Sequence, residues 1–337
     1  MNASEDPPPQ PFRGLPFLRR WPMLAGALSG LLLRLVFSGK PGEVFGTMLG
    51  SFIFLVPVAV AAVTVYLAER RARHRWTYHV FIGMGANVLF VIGSFVVLIE
   101  GLICAILVLP LFAIIGGVSG ALMGLVCRLT NWPRQTVLGV VVLPLLLGGV
   151  EPQWPLPVQV HSVERVRLIA AAPEPIWRQL ENARDIQPEE VGSAWMYRIG
   201  APTPTAGVLA DTPEGKVRHV TMGRGVRFDQ VAVQWEPNRH VRWTYRFAED
   251  SFPPQALDDH VRIGGHYFDL LDTDYTLVPH GEQTELHIRM RYRVSTRFNW
   301  YAQPIAQWLI GNFEEVILGF YARRAEAAAT IPPTIAR

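Results

Sequence analysis

The chain has 337 residues, half of them hydrophobic, with 31 Lys and Arg against 28 Asp and Glu for a formal net charge of +3. The charge divides unevenly: residues 1–155 hold 11 basic against 6 acidic side chains, net +5, and the remainder holds 20 against 22, net −2. The basic excess therefore belongs to loops of the apolar half, and with no RNA- or DNA-module signature it excludes a nucleic-acid-binding face.

Residues 1–20 carry Pro7-Pro8-Pro9 followed by Arg13, Arg19 and Arg20, with no small-residue cleavage pattern after them. They read as a disordered cytoplasmic tail, not a cleaved signal peptide. Five apolar segments follow, over residues 21–37, 44–67, 78–99, 102–126 and 136–150. A bilayer core needs about 20 apolar residues per helix. The run from Tyr78 to Val126 is interrupted only by Glu100, so it predicts two spans joined by a hairpin at Glu100-Gly101. The first segment is short and carries Arg34, and the fifth is shorter still. Residues 21–155 are thus expected to form a transmembrane domain of four to five helices.

Arginines set the orientation. Arg13, Arg19 and Arg20 precede the first segment, Arg70, Arg71, Arg73 and Arg75 lie between the second and third, and Arg128 and Arg134 lie between the fourth and fifth. With five spans, the N-terminus is inside and the C-terminal domain outside a cytoplasmic (inner) membrane, in a periplasm where there is one. A re-entrant fifth segment would place that domain in the cytoplasm. Gly116, Gly120 and Gly124 recur at every fourth position, the spacing that lets helix backbones approach closely. Packing within one bundle explains them, with homodimerisation the alternative. The spans lack the buried acids and bases of a transport path.

After Pro155 and Pro157 the periodicity changes. Residues 158–170 read as a strand, and Ala172-Pro173-Glu174 as a helix start. Residues 186–191 suit a second short helix. From Ser193 to Ser295 the pattern has mostly period two. Val241, Trp243, Tyr245 and Phe247 alternate with Arg242, Thr244 and Arg246. Leu286, Ile288, Met290, Tyr292 and Val294 alternate with His287, Arg289, Arg291 and Arg293. An apolar face opposite a cationic one marks an antiparallel sheet covered on one side. Residues 298–328 then read as one long helix, with an apolar stripe through Tyr301, Ile305, Trp308, Leu309, Phe313, Val316, Ile317 and Phe320.

That order of elements, with Val166-Arg167-Leu168-Ile169-Ala170-Ala171-Ala172-Pro173-Glu174-Pro175-Ile176-Trp177, Val233-Gln234-Trp235-Glu236-Pro237-Asn238-Arg239 and Asn312-Phe313-Glu314-Glu315-Val316-Ile317, resembles the START-like, or SRPBCC, superfamily of polyketide cyclase and lipid-transport type domains. The resemblance covers about residues 158–330. It implies an α+β helix-grip fold, an antiparallel sheet wrapped around a long C-terminal helix, fused to the α-helical transmembrane bundle. It also implies a hydrophobic small molecule or lipid held between sheet and helix. It brings no catalytic residue with it.

The expected lining is Trp243, Tyr245, Phe247, Met290, Tyr292, Trp308, Leu309, Asn312 and Phe313, which could equally fill a core. Asp258-Asp259-His260, His266, Asp269, Asp272 and Asp274 have metal-ligand chemistry but no fixed ligand spacing; the reading is a solvated loop and no metal. Residues 249–265 form a loop long enough to be a lid or a plain insertion. His219 suits an exposed strand histidine better than a general base. No Ser/His/Asp or Cys/His arrangement is legible, and no cofactor is expected. Three functions remain: a membrane-anchored protein that holds or senses a hydrophobic ligand, an envelope scaffold, and a cyclase- or dehydrase-type enzyme. The first is favoured, because bilayer lipid is the apolar ligand most available to an anchored domain.

Overall fold

The computed structural model describes residues 21–130, 133–253 and 256–330. The tail expected over residues 1–20 lies outside them. The chain divides into two compact units. One holds the chain up to Ser38 with Ser51–Val97 and Val108–Gly149; the other holds Gly39–Gly50, Leu98–Leu107 and everything from Val150 onward.

The first unit is helical: α1 (Trp21–Val36), α2 (Val56–Glu69), α3 (Trp76–Val96), α4 (Leu102–Leu129) from Val108 onward, and α5 (Pro133–Val150) as far as Gly149. A π-helical turn, Ser51–Leu55, leads into α2. Among the described residues, four helical stretches are long and apolar enough to cross a membrane: Ser51–Glu69, Trp76–Val96, Leu102–Leu129 and Pro133–Gln153. The fifth apolar segment is longer than its sequence suggests. Pro133 opens the helix, where its missing N–H costs nothing, and a 3-10 turn extends it through Gln153. The helix α1, at 16 residues, stays short.

The glycine stripe of α4 packs inside this unit. A Cβ on Gly116 would sit 2.3 Å from the Asn87 amide nitrogen, one on Gly120 2.3 Å from the His79 carbonyl oxygen, and one on Gly124 2.1 Å from the His79 ring. The three glycines lie against α3, as packing within one bundle requires. At one end of the bundle, buried His79 Nε2 hydrogen-bonds Glu69 Oε1 at 2.7 Å, an acid–base pair that the apolar patterning of the sequence does not reveal.

The second unit is built on β1 (Gln159–Ile169), α6 (Pro173–Glu181), β2 (Asn182–Ala183), α7 (Pro188–Val191), α8 (Trp195–Arg198), β3 (Pro204–Thr212), β4 (Gly215–Met222), β5 (Arg227–Glu236), β6 (His240–Arg246), β7 (Phe268–His280), β8 (Gln283–Val294) and α9 (Asn299–Thr330). The strands form one sheet in the order β1-β8-β7-β6-β5-β4-β3-β2, antiparallel at every pairing. This is the helix-grip arrangement. The two-residue β2 and the one-turn α8 are too short to leave a periodic signal.

Alternation in β8 is realised as read. Leu286, Ile288, Met290, Tyr292 and Val294 are buried, and the basic residues face away. The outer face is not simply solvated, however. Asp272 and Asp274 lie within β7, not in a loop, and each is 5% exposed. Asp272 accepts from Arg291 Nε at 2.8 and 3.0 Å. Asp274 accepts from His240 Nε2 at 2.7 Å and Arg242 Nε at 2.8 Å, with Arg289 at 3.5 Å. Burial opposes ionisation of Asp274, but the Arg242 and His240 hydrogen bonds outweigh it and hold the carboxyl below the usual range. These acids neutralise the cationic face.

The helix α9 buries Ile310, Glu314, Ile317, Leu318, Phe320, Tyr321, Ala322 and Ala325. Ile317 and Phe320 belong to the expected stripe, and Phe313 and Val316 pack partly buried against the same core; Trp308 does not. Glu314 and the alanines give no apolar signal. Outside the sheet, the β6–β7 loop is tied to the two interhelical segments of the same unit. Gly101 N donates to Asp258 Oδ2 at 3.2 Å, and Gly42 N to the Tyr267 hydroxyl at 3.0 Å. Its described residues are anchored in a way that a mobile lid would not be.

Candidate functional site

The strand register builds an internal polar row. Arg218 on β4 lies opposite Gln230 on β5, and Gln230 lies opposite Tyr245 on β6. Arg218 is 6% exposed. Its Nη1 donates to Gln230 Oε1 at 3.2 Å and its Nη2 to the Tyr321 hydroxyl of α9 at 3.5 Å, while its Nε has no partner. No carboxylate pairs with it among the described residues. Room for the guanidinium comes from Gly207 on β3, where a Cβ would stand 2.6 Å from Arg218 Nη2.

Tyrosines surround this cation. The Tyr245 hydroxyl bonds Thr273 Oγ1, and burial pushes it up to about 12. Tyr275 meets Tyr321 edge-on at 5.9 Å; burial, then the neighbouring Tyr321, raise its hydroxyl well above the ordinary value. The Tyr245 and Tyr275 hydroxyls therefore stay protonated.

A second polar group enters from the helix. Glu314 is fully buried. Its Oε1 accepts the Met290 backbone N–H at 3.1 Å, and its Oε2 has no partner. Burial pushes its carboxyl up to about 8, against the lowering effect of the Met290 N–H and the Arg165 charge. At neutral pH it is mostly the neutral acid. Trp243 Nε1 is likewise buried without an acceptor. Buried polar groups are normally satisfied, so three open valences in one sheet–helix interior are unusual for a core that serves stability alone.

The expected lining residues separate into two groups. Trp243, Met290 and Tyr292 are buried on the inner sheet face. Tyr245 joins the Arg218 row, and Phe313 meets Tyr197 edge-on at 6.2 Å. Leu309 is half-buried. Phe247 lies beyond the end of β6 and packs on Phe228 and Phe252. Trp308 is corrected: it is 55% exposed and meets Trp195 in a tilted contact at 5.8 Å. Asn312 accepts the Trp195 backbone N–H at 2.8 Å, so it holds the start of α8. His219 faces outward onto Asp229 at 2.7 Å, as a strand histidine.

Sequence reasoning missed Arg218, Gln230, Tyr275, Glu314 and Tyr321. A signal existed in β4, where Arg218 shares strand parity with Val220, but a basic residue on an alternating strand is normally placed outside.

No protein-family model matches the chain, and no curated protein does. Solved structures are similar to it at low identity. A START superfamily protein from Mycobacterium smegmatis is 15% identical, with a TM-score of 0.35 over 50% of this chain and 99% of that one. The di-domain aromatase/cyclase StfQ of the steffimycin biosynthetic pathway is 12% identical, with a TM-score of 0.32 over 60% of this chain and 62% of that one. A protein from Thermus thermophilus is 20% identical, with a TM-score of 0.28 over 50% of this chain and 100% of that one. Likeness at this level carries no argument. What the chain's own topology shows is a helix-grip arrangement, an antiparallel eight-stranded sheet with one long C-terminal helix.

Proposed function

We propose that the protein is a membrane-anchored binding protein that holds a hydrophobic, lipid-like molecule between the sheet and α9, with an acidic group of that molecule directed at Arg218. The observation that carries this reading is Arg218 itself, a buried guanidinium with no counter-charge among the described residues. An uncompensated buried charge is strongly unfavourable. A ligand carboxylate or phosphate would supply the missing charge in the fork geometry that arginine favours. Elsewhere in the same sheet–helix interior, Trp243, Met290, Tyr292 and Phe313 are apolar, and ligand sites are mostly apolar with a few placed polar groups. Neutral Glu314 can donate one further hydrogen bond.

Four apolar helices of spanning length support an anchor. The arginine asymmetry supports an outside C-terminal domain, which a phosphatase fusion after Arg337 tests: an inactive fusion contradicts it. The binding reading is tested by native mass spectrometry of the full chain purified in detergent. It expects an acidic lipid retained by wild type and lost from Arg218→Met. A folded wild type that carries no lipid would favour the scaffold function instead.

A further inference from the structure

The second unit brings three distant segments to one point. Thr47 lies in the α1–α2 segment, Cys104 in the first turn of α4, and Asp258 with His260 in the β6–β7 loop. Ligand atoms of Cys104, Asp258 and His260 all lie within 4.8 Å of one another, and the three side chains are half-buried. Asp258 Oδ1 is 2.7 Å from His260 Nδ1. The other carboxylate oxygen accepts the Gly101 N–H at 3.2 Å. A Cβ on Gly101 would stand 2.5 Å from that oxygen, so any larger residue there would have to push the carboxylate aside.

The imidazole is fixed from its far side. His260 Nε2 is 2.5 Å from Thr47 Oγ1, and Thr47 is 6% exposed. The Tyr267 ring lies nearly parallel to the His260 ring at 6.3 Å. Nδ1 faces Asp258 Oδ1 across a hydrogen bond; once that proton has left, an Nε2–H given to Thr47 leaves the Nδ1 lone pair free for an ion. A metal-binding histidine characteristically donates its second ring N–H in this way, which fixes the tautomer.

We propose that Cys104, Asp258 and His260 form a binding site for one divalent transition-metal ion of the zinc class, with His260 ligating through Nδ1 and Thr47 orienting it. Sulfur, imidazole nitrogen and carboxylate oxygen are the donors that zinc takes, and three protein ligands leave a fourth position for water. Binding replaces the thiol proton of Cys104 and the proton held between Nδ1 and Oδ1; both leave to solvent. Thr47, His260 and Asp258 also have the order of a nucleophile, base and orienting acid. Thr47 is too buried to meet a substrate carbonyl. The expectation of no metal rests on the lack of ligand spacing around Asp258 and His260; the third ligand comes from 154 residues upstream of Asp258, where spacing cannot show it. His266 takes no part, since it packs against Gly42.

The probe is Co2+, then Zn2+ in competition, titrated into the full chain purified in detergent and stripped with chelator. The proposal expects one Co2+ per chain with a near-ultraviolet sulfur-to-cobalt charge-transfer band that Zn2+ abolishes. Cys104→Ser removes the band and weakens Zn2+ binding by at least about 100-fold, and His260→Ala does the same for affinity. Thr47→Val keeps the band and weakens binding by about 10- to 100-fold, as loss of an orienting partner does. Cys127→Ser and His219→Ala leave stoichiometry and band unchanged. Wild type that binds no Co2+ overturns the site whatever the variants do. A band that survives Cys104→Ser and disappears with Cys127→Ser overturns it as well.

Discussion

The Arg218 guanidinium and the Tyr321 hydroxyl meet at 3.5 Å across the interior between β4 and α9. The pair joins the sheet to the helix through a polar contact, in a place where most of the neighbouring contacts are apolar. Tyrosine cannot neutralise the cation. The sheet supplies Gln230, and no acid, on the other side.

This arrangement makes a prediction about stability. Replacing buried ionic groups by apolar residues of similar volume is often neutral or stabilising by about 1–4 kcal/mol. Arg218→Met should therefore leave the melting temperature of ligand-free protein unchanged or raise it. A fall of more than about 2 kcal/mol would mean that Arg218 is already compensated in the folded protein.

Glu314 should make stability fall as pH rises. Its folded carboxyl titrates at about 8, while an unfolded glutamate titrates near 4.3. Between those values the folded protein holds a proton that the unfolded chain has lost. The stabilisation is complete below the unfolded value and is lost as pH rises through the folded one. Glu314→Gln, neutral at every pH, should flatten this slope and melt higher than wild type at pH 9. Melting scans from pH 5 to 9 measure it; parallel wild-type and variant curves would show that Glu314 is ionised throughout.

The outer face should respond to acid in the opposite sense. Asp274 is held below its usual range by Arg242 and His240, against burial. Its contribution is present above the unfolded carboxylate value and fades as pH falls through the folded one. Asp274→Asn should cost about 2 kcal/mol, below the full penalty for a broken buried pair because Arg242 and Arg289 are partly exposed. Chemical denaturation at pH 7 checks this. A cost below about 0.5 kcal/mol would place the network among ordinary surface pairs.

Two tryptophans that share one expected role should separate. Trp243 is fully buried and Trp308 is 55% exposed. Trp243→Ala should cost about 3–5 kcal/mol, as large core truncations do. Trp308→Ala, which removes only the Trp195 contact, should stay below about 1.5 kcal/mol. Equal costs would mean that Trp308 belongs to the core.

The contrast shows what the sequence can carry. Strands β6 and β8 are legible because their inner positions are aromatic or β-branched and their outer positions basic, so period two stands out. The α9 stripe is legible in part: Ile317 and Phe320 are buried as read, whereas Glu314, Ala322 and Ala325 of the buried face carry little hydrophobic signal. Trp308 and Leu309 draw the pattern toward a neighbouring face. Arg218 is hidden for a stronger reason. Its burial depends on Gly207 across the β3–β4 pairing and on Tyr321 103 residues later, and neither relation is local. Asp272 and Asp274 read as part of an acidic loop because their arginine partners lie on other strands. Helix existence in the apolar half is clear, since runs of spanning length need no partner to be recognised.

Whether an acidic amphiphile sits against Arg218 can be decided by a single comparison of ligands. The full chain in detergent, delipidated, is titrated with a long-chain fatty acid and with the fatty alcohol of the same length, for wild type and for Arg218→Met. The expected outcome is saturable binding of the acid by wild type, at least about tenfold weaker binding of the alcohol, and loss of that preference in the variant while its melting transition persists. Equal affinity for acid and alcohol in both proteins, or no saturable binding of either by folded wild type, would contradict a charge-pairing role for Arg218.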